Sequence, residues 1–264
     1  MKNSMKRTKS VTNFNKRKNN AAFFTVTALL AIAVFVFTVY NAEMRYKKRN
    51  VENNLQMQFF HSGEDYFTLL ICGGGSAVIC PSDVSGAEEV ADSLEKRLID
   101  KIGLLVMTAD PERDNANQTL GEYSASSELL FPSDNAESFT VGDARCEIRF
   151  SDGAYYLNIR HGDCEISLCG GDADPKTYAE HAANADMIIV PENFRESEDM
   201  KNLISGGKAV KAVVCDSGKD PAPEDFLWLL RNSGITFMRT AYGNICANCD
   251  GTNITLLPDR AQLQ

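Results

Sequence analysis

The chain has 264 residues, of which 44% are hydrophobic and 24% are charged, enough for one domain with a substantial core and an appendage. Residues 1–50 hold eleven of the 27 Lys and Arg residues and one of the 36 acids, which leaves residues 51–264 with a formal net charge of −19. Direct nucleic-acid binding by this acidic part is not expected, because such binding depends on Lys and Arg that neutralise phosphates.

The first 40 residues have two distinct compositions. Residues 1–20 are basic and rich in Asn and Ser, which predicts a disordered tail. Residues 21–40 carry no charge, and a helix of this length matches the hydrocarbon thickness of a membrane. A cleaved signal peptide is the alternative, but the apolar run is longer than a usual signal core, and Tyr40 would occupy the −3 position of a cleavage after Ala42. We therefore predict one uncleaved transmembrane helix at 21–40.

The basic residues around this span predict its orientation. Seven of them precede the span and four follow it closely, so the positive-inside rule favours a cytoplasmic N-terminus and a C-terminal domain outside the cell membrane. Residues 41–54 are interpreted as a linker.

An external domain permits disulfides, but Cys164 and Cys169 bracket one predicted strand, and Cys246 and Cys249 lie in one extended segment, beyond disulfide reach. Buried thiols are expected for most of the eight cysteines.

The pattern from residue 55 to residue 258 is α/β. Strands are predicted at 56–60, 67–72, 76–80, 102–107, 146–150, 155–159, 164–168, 187–190, 209–215 and 235–240, followed by a terminal hairpin around Asp250 and Gly251. Helices are predicted at 86–98, near 196–205 and at 223–232. Residues 116–137 are ambiguous. These elements form two halves, each with a sheet and helices.

Several segments carry a family resemblance when they are taken together in chain order. They are 59–66 (FFHSGEDY), 76–83 (SAVICPSD), 168–172 (LCGGD), 185–193 (ADMIIVPEN), 219–224 (KDPAPE) and 233–257. In order and spacing, these segments resemble the metallo-β-lactamase-fold domain of ComEC-type competence proteins, the DNA-internalisation channels of bacteria. The resemblance implies a metallo-β-lactamase-like αββα sandwich over residues 55–258, preceded by the transmembrane helix, in a bacterial cell membrane.

The resemblance also implies where a metal site would lie. The family places a histidine-rich motif directly after the strand that contains Leu104, and this chain has a polar turn without histidine there. None of the three histidines, His61, His161 and His181, aligns with a metal ligand. The vestigial metal positions are Asp110, Glu112, Asp114, Asp172, Glu192 and Asp220. Asp110, Glu112 and Asp114 take these positions when a one-residue slip is allowed after Thr108. In the resemblance, only Asp172 stands where a family ligand stands.

Three functional hypotheses follow. The first is a catalytically inactive member of the fold that binds or scaffolds at the membrane, with other membrane or competence proteins as partners and with no cofactor. The alternative is a metal-dependent hydrolase, of phosphodiesterase or nuclease type and linked to DNA uptake. Its divalent ion (Mn²⁺, Mg²⁺, Ca²⁺ or Zn²⁺) would be held by an oxygen-ligand site. The third is a DNA-uptake accessory that touches DNA through a basic patch at Lys208, Lys211 and Arg239.

Overall fold

The structure is a computed structural model. The structure describes residues 30–40, 54–62, 65–79, 87–97, 99–107, 120, 123, 128–130, 136–151, 153–217 and 219–258. The chain divides into two units, residues 1–50 and residues 51–264. In the first unit, residues 30–40 are helical, and the rest of the predicted span and the tail lie outside the described residues. No helix in the described ranges is long and apolar enough to cross a membrane.

The second unit contains two seven-stranded sheets. The strands of the first sheet are β1 (Leu55–Ser62), β2 (Asp65–Cys72), β3 (Gly75–Ile79), β4 (Leu104–Val106), β5 (Glu128–Leu130), β13 (Ile245–Cys249) and β14 (Ile254–Pro258). Their order is β14-β13-β1-β2-β3-β4-β5. Strands β3, β4 and β5 run parallel to one another, and the neighbours from β14 to β3 are antiparallel.

The second sheet has a parallel half and an antiparallel half. Its strands are β6 (Glu137–Val141), β7 (Ala144–Ser151), β8 (Ala154–His161), β9 (Cys164–Gly171), β10 (Met187–Val190), β11 (Lys211–Val214) and β12 (Thr236–Arg239). Their order is β12-β11-β10-β9-β8-β7-β6. Strands β9 to β12 are parallel, whereas β6 to β9 form antiparallel hairpins. The parallel half places four strand ends at one edge.

Helices cover the outer faces of the two sheets. They are α1 (Ala87–Lys96), α2 (Pro175–His181), α3 (Glu198–Gly206) and α4 (Glu224–Asn232). Val90 and Leu94 of α1 pack with Phe60 and Phe67 on the outer face of the first sheet. Tyr178 of α2 donates its hydroxyl to the carbonyl of Ser167 on the second sheet at 2.8 Å. The layers are therefore helix, sheet, sheet and helices.

Strand β1 illustrates how the sequence builds the layers. Side chains alternate between the two faces of a strand. Leu55, Met57 and Phe59 accordingly join the large core between the sheets, and Phe60 joins the smaller core under α1. Because β1 is central in its sheet, both of its faces are covered, and the polar Gln58 on the Phe60 side is itself buried.

All of the predicted strands occur in the predicted order, but two strands and one helix were missed. Residues 128–130 and 137–141, in or next to the ambiguous region, form β5 and β6. Helix α2 was not predicted, although its start signal is in the sequence. Asp174 caps the helix by accepting the amide of Thr177 at 2.8 Å, and a proline occupies the first turn.

Tight turns form the edge of the sandwich that lies opposite the carboxyl ends of the parallel strands. Gly142, in the β6–β7 turn, has φ +56° and faces the backbone of Cys72 and Gly73 in the other sheet. Gly162, in the β8–β9 turn, has φ +59° and faces Gly251 in the β13–β14 turn. A Cβ atom at either glycine would overlap the facing backbone. The two sheets therefore approach each other through bare backbone at this edge.

We predict that Gly142→Ala and Gly162→Ala each destabilise the protein by about 3 kcal/mol, since the added methyl group adds overlap with backbone to the strain of a positive φ. Gly74→Ala is the matched control. Its φ is +79°, but nothing lies within 4 Å of the added atom, so only the φ strain of about 1 kcal/mol is expected. Urea unfolding measures all three variants, and equal losses would contradict the proposed contact.

Candidate functional site

The carboxyl ends of the parallel strands meet at one edge of the second sheet, where ligand sites of open α/β sheets commonly lie. Asp172 follows β9, Glu192 follows β10, and Asp216 and Asp220 follow β11. Arg239 is the last residue of β12. Three of the six predicted metal positions, Asp172, Glu192 and Asp220, are therefore at this edge. We name it the acidic edge.

Arg195 holds two of these acids together. Its side chain is 3% exposed, and its guanidinium lies between Glu192 and Asp220. One Nη2 contacts the Glu192 carboxylate at 2.9 Å and the Asp220 carboxylate at 3.2 Å. The Nε and Nη1 groups donate to the backbone carbonyls of Glu192, at 2.9 Å, and Asp220, at 3.2 Å. The Arg195 guanidinium therefore contacts four oxygen atoms, two from Glu192 and two from Asp220.

The chain places Arg195 there through a short local structure. Pro191 follows the last residue of β10, and residues Glu192–Phe194 form a single 3-10 turn. Phe194 is fully buried and packs at 5.7 Å between ring centroids against Tyr178 of α2. Arg195 comes directly after this anchor, so its side chain turns back towards Glu192. Asp220 reaches it from the β11–α4 connection, where the amide of Asp220 donates to the hydroxyl of Ser217 at 3.0 Å.

The pKa of Glu192 is raised from its ordinary value. Partial burial of the carboxyl is the main cause, and a hydrogen bond with the Asp220 carboxyl also raises it, whereas Arg195 acts in the opposite direction. Two carboxyl groups therefore share one guanidinium, and the folded protein favours a proton on Glu192 more than water does.

Glu192 and Asp220 do not fit a metal site. Their converging oxygens already accept hydrogen bonds from Arg195, which occupies the place between them that a cation would need. Across the described ranges, no group of three or more His, Cys, Asp or Glu side chains is arranged to hold a metal ion. The tethered guanidinium supplies the positive charge that these carboxylates require.

The other predicted positions do not join this pair in the part of the chain that the structure describes. Asp172 is exposed, and its carboxylate lies 3.8 Å from the position of a Cβ atom on Gly153, beside the β7–β8 turn. Asp110, Glu112 and Asp114 lie outside the described residues, so their role stays a prediction. The strand before them, β4, is buried as predicted.

Asp216 is an important residue of the acidic edge that the sequence patterns did not single out. It is fully buried, and its Oδ2 accepts from Arg239 Nε at 2.6 Å and from the amide of Ala222 at 3.2 Å. Its Oδ1 accepts from the amide of Ala241 at 3.0 Å, and its backbone exchanges hydrogen bonds with the hydroxyl of Thr240. Asp216 thus joins the ends of β11 and β12 to the start of α4. The available signal was its place directly after a buried strand.

Aromatic side chains fill the interior beneath the acidic edge. The Tyr66 hydroxyl donates to the carbonyl of Cys169, and the Tyr155 ring lies against Gly170, where a Cβ atom would meet the ring at 2.5 Å. Complete burial raises the pKa of Tyr66 well above its ordinary value, so this phenol stays protonated. Gly170 therefore makes room for a tyrosine in the core.

Two cations of the predicted basic patch are engaged in ion pairs. Lys208 contacts Asp186 at 2.8 Å, and Arg239 contacts Asp216 at 2.5 Å. The Arg239 guanidinium also lies 5.1 Å from the ring centroid of Tyr242. These contacts lower the positive charge that the patch could offer to phosphates.

Comparisons with known proteins give matches among solved structures alone. No protein-family model matches the chain, and no curated protein matches it. A metallo-beta-lactamase fold protein, YhfI from Bacillus subtilis, is 9% identical with a TM-score of 0.47, over 70% of this chain and 95% of that one. A putative Zn-dependent hydrolase of the metallo-beta-lactamase superfamily from Thermotoga maritima is 11% identical with a TM-score of 0.36, over 66% and 85%. The chemistry of the acidic edge is therefore inferred from the residues of this chain and not from these two proteins.

We predict that Asp216→Asn destabilises the protein by about 3 kcal/mol, since it removes a buried charge that pairs with Arg239 and turns an amide group towards backbone N–H groups. Asp220→Asn is the control. Its side chain is 68% exposed, so a loss below about 1 kcal/mol is expected. Urea unfolding at neutral pH gives both values, and a smaller loss for Asp216→Asn than for Asp220→Asn would overturn the assignment.

The raised pKa of Glu192 predicts pH-dependent stability of defined sign. The stabilisation from its proton is fully present below the unfolded-state pKa of about 4.3 and is lost as pH rises through the higher folded-state value. Glu192→Gln does not titrate. The wild-type protein should therefore lose stability relative to this variant as the pH rises from about 4 to 7. Urea unfolding of both proteins across this interval tests the sign, and a relative gain for the wild type is the contrary result.

Proposed function

We propose that this chain is a membrane-anchored, extracytoplasmic protein of metallo-β-lactamase-like fold, related to ComEC-type DNA-uptake proteins, that binds or scaffolds instead of hydrolysing. The observation that carries the proposal is the Arg195 guanidinium between Glu192 and Asp220. A tethered arginine neutralises the carboxylates, but it offers no open position at which a water molecule could be activated.

The two-sheet order supports the fold assignment. Helices lie outside two stacked sheets, and the predicted ligand positions Asp172, Glu192 and Asp220 follow successive parallel strands. This agrees with the order of segments in which the sequence resembles the family. The uncharged run at 21–40 and the surplus of basic residues before it support the proposed anchor and its orientation.

Charge indicates the kind of partner. Residues 51–264 carry a net charge of −19. Two of their cations, Arg195 and Arg239, already form ion pairs at the acidic edge. A partner with a basic surface would be attracted to such a domain, and the membrane or competence proteins that we propose as partners should present Lys and Arg to it.

One observation favours a second candidate, a metal-dependent hydrolase of phosphodiesterase type. The Glu192 and Asp220 carboxyl groups are within hydrogen-bonding reach of each other and together exceed the charge of Arg195 by one negative charge. With Asp110, Glu112 or Asp114 added, an oxygen-ligand site for Mn²⁺, Mg²⁺ or Ca²⁺ is the form that this candidate takes.

Metal addition separates the two candidates. The full chain, purified and treated with a chelator, should show no change in melting temperature with Mn²⁺, Mg²⁺, Ca²⁺ or Zn²⁺ and no Mn²⁺-dependent phosphodiesterase activity. Arg195→Ala should gain a rise of about 3 °C with 10 mM Ca²⁺ or Mn²⁺, because the carboxylates are then free to bind the ion.

The double variant Arg195→Ala with Asp220→Asn is the control and should lose this response. Stoichiometric metal in the wild-type protein by elemental analysis, or metal-dependent cleavage of a phosphodiester, would replace the binding proposal with the hydrolase.

A further inference from the structure

The edge opposite the acidic edge brings two sheets into direct contact through their turns. The amide of Asp163, in the β8–β9 turn, donates to the carbonyl of Gly251, in the β13–β14 turn, at 2.7 Å. Gly162 and Gly251, both with positive φ, lie against each other in the same place. This hydrogen bond joins the second sheet to the first.

Cysteines flank both of these turns. Cys164 is the first residue of β9 and pairs with His161 across the β8–β9 hairpin, and Cys249 is the last residue of β13. Both side chains are buried, at 3% and 0% exposure. The Cys249 sulfur lies 4.0 Å from the carbonyl of His161, the residue that faces Cys164 across the hairpin. Two cysteines from different sheets therefore lie next to each other behind the turns.

We propose that Cys164 and Cys249 form a disulfide that links the two sheets when the chain folds in an oxidising compartment. A low-molecular-weight disulfide such as oxidised glutathione is the oxidant. The thiolate of one cysteine attacks it, a mixed disulfide forms, and one small thiol leaves. The second cysteine then attacks the mixed disulfide and displaces the second small thiol. The two cysteine thiols are oxidised, and the small disulfide is reduced to two thiols.

Other pairings among the cysteines in the described part of the chain are less suited to this bond. Cys246 and Cys249 share β13, and Cys164 and Cys169 occupy opposite parts of β9, as the sequence predicted. Cys72 contributes to the raised pKa of Cys146, and Cys215 contributes to that of Cys169, so these two pairs are the competitors.

Burial affects when the bond can form. It raises the pKa of the Cys164 thiol to about 12, with further contributions from the hydrogen bond and charge of Cys249. The pKa of Cys249 is also raised, chiefly by burial. Because the thiolate is the attacking species, the reduced folded protein should react slowly. Oxidation is therefore expected during folding, while both thiols are still in water.

The inference does not depend on the binding function, but the oxidising compartment that it needs is the extracytoplasmic location proposed above. It is tested on the full chain in detergent. The protein is unfolded in urea with dithiothreitol and refolded in a mixture of reduced and oxidised glutathione. Free thiols are then blocked with N-ethylmaleimide, and peptides are mapped by mass spectrometry. The expected product links the peptides that contain Cys164 and Cys249. Its melting temperature should exceed that of the dithiothreitol-treated protein by about 10 °C, since the bond closes a long loop.

Matched variants keep the test decisive. Cys164→Ser should lose both the linked peptide and the temperature difference. Cys246→Ser, on the same strand as Cys249 but half-buried, should keep both. The reduced wild-type protein shows whether folding needs the bond, so a variant that fails to fold does not obscure the outcome. Full alkylation of all eight cysteines after refolding overturns the proposal, and so does a Cys72–Cys146 or Cys169–Cys215 link in its place.

Discussion

Four parallel strands end together at the acidic edge, and the charged groups that are buried there have to be compensated. Burial of a charge is costly unless an opposite charge and hydrogen bonds compensate for the lost water. Arg239 and two backbone amides do this for the buried Asp216, and the half-buried Glu192 and the exposed Asp220 do it for the buried Arg195. Both arginines come from within the same sheet and its connections. The positions of β10, β11, β12 and α4 relative to one another therefore depend on these two ion-pair groups.

Neutralisation of these carboxylates by arginine has chemical consequences that neutralisation by a metal ion would not have. A guanidinium stays charged at all physiological pH values, is covalently fixed to its own chain and presents donors in a rigid fork. It can hold carboxylates in place, but it cannot exchange a ligand or lower the pKa of a bound water molecule as a metal ion does. On the function that we propose, the acidic edge is a stable structural element, and binding energy comes from the surfaces around it.

The sequence predicted the scaffold better than the site. Strand periodicity and the order of segments were sufficient to place Asp172, Glu192 and Asp220 after successive strands, because strand ends are set by the chain itself. Arg195 was missed for a physical reason, since a side chain that reaches across a sheet edge leaves no mark in local spacing. Asp216 was missed although its place directly after a buried strand was visible in the sequence. Helix α2 was not predicted, although Asp174 and the proline after it are a recognisable helix start.

The two edges of the sandwich are stabilised by different means, which affects how the domain can meet a partner. At one edge, glycine turns and buried thiols bring backbone against backbone, with Asp163 and Gly251 in direct contact. At the acidic edge, Arg195 and Arg239 are largely buried by the acids that they neutralise, at 3% and 15% side-chain exposure. These two positive charges are therefore turned inwards, while most acids among the described residues of the domain are exposed to solvent. Association with a basic partner should consequently depend on ionic strength through exposed acids, and the internal pairs should be screened far less.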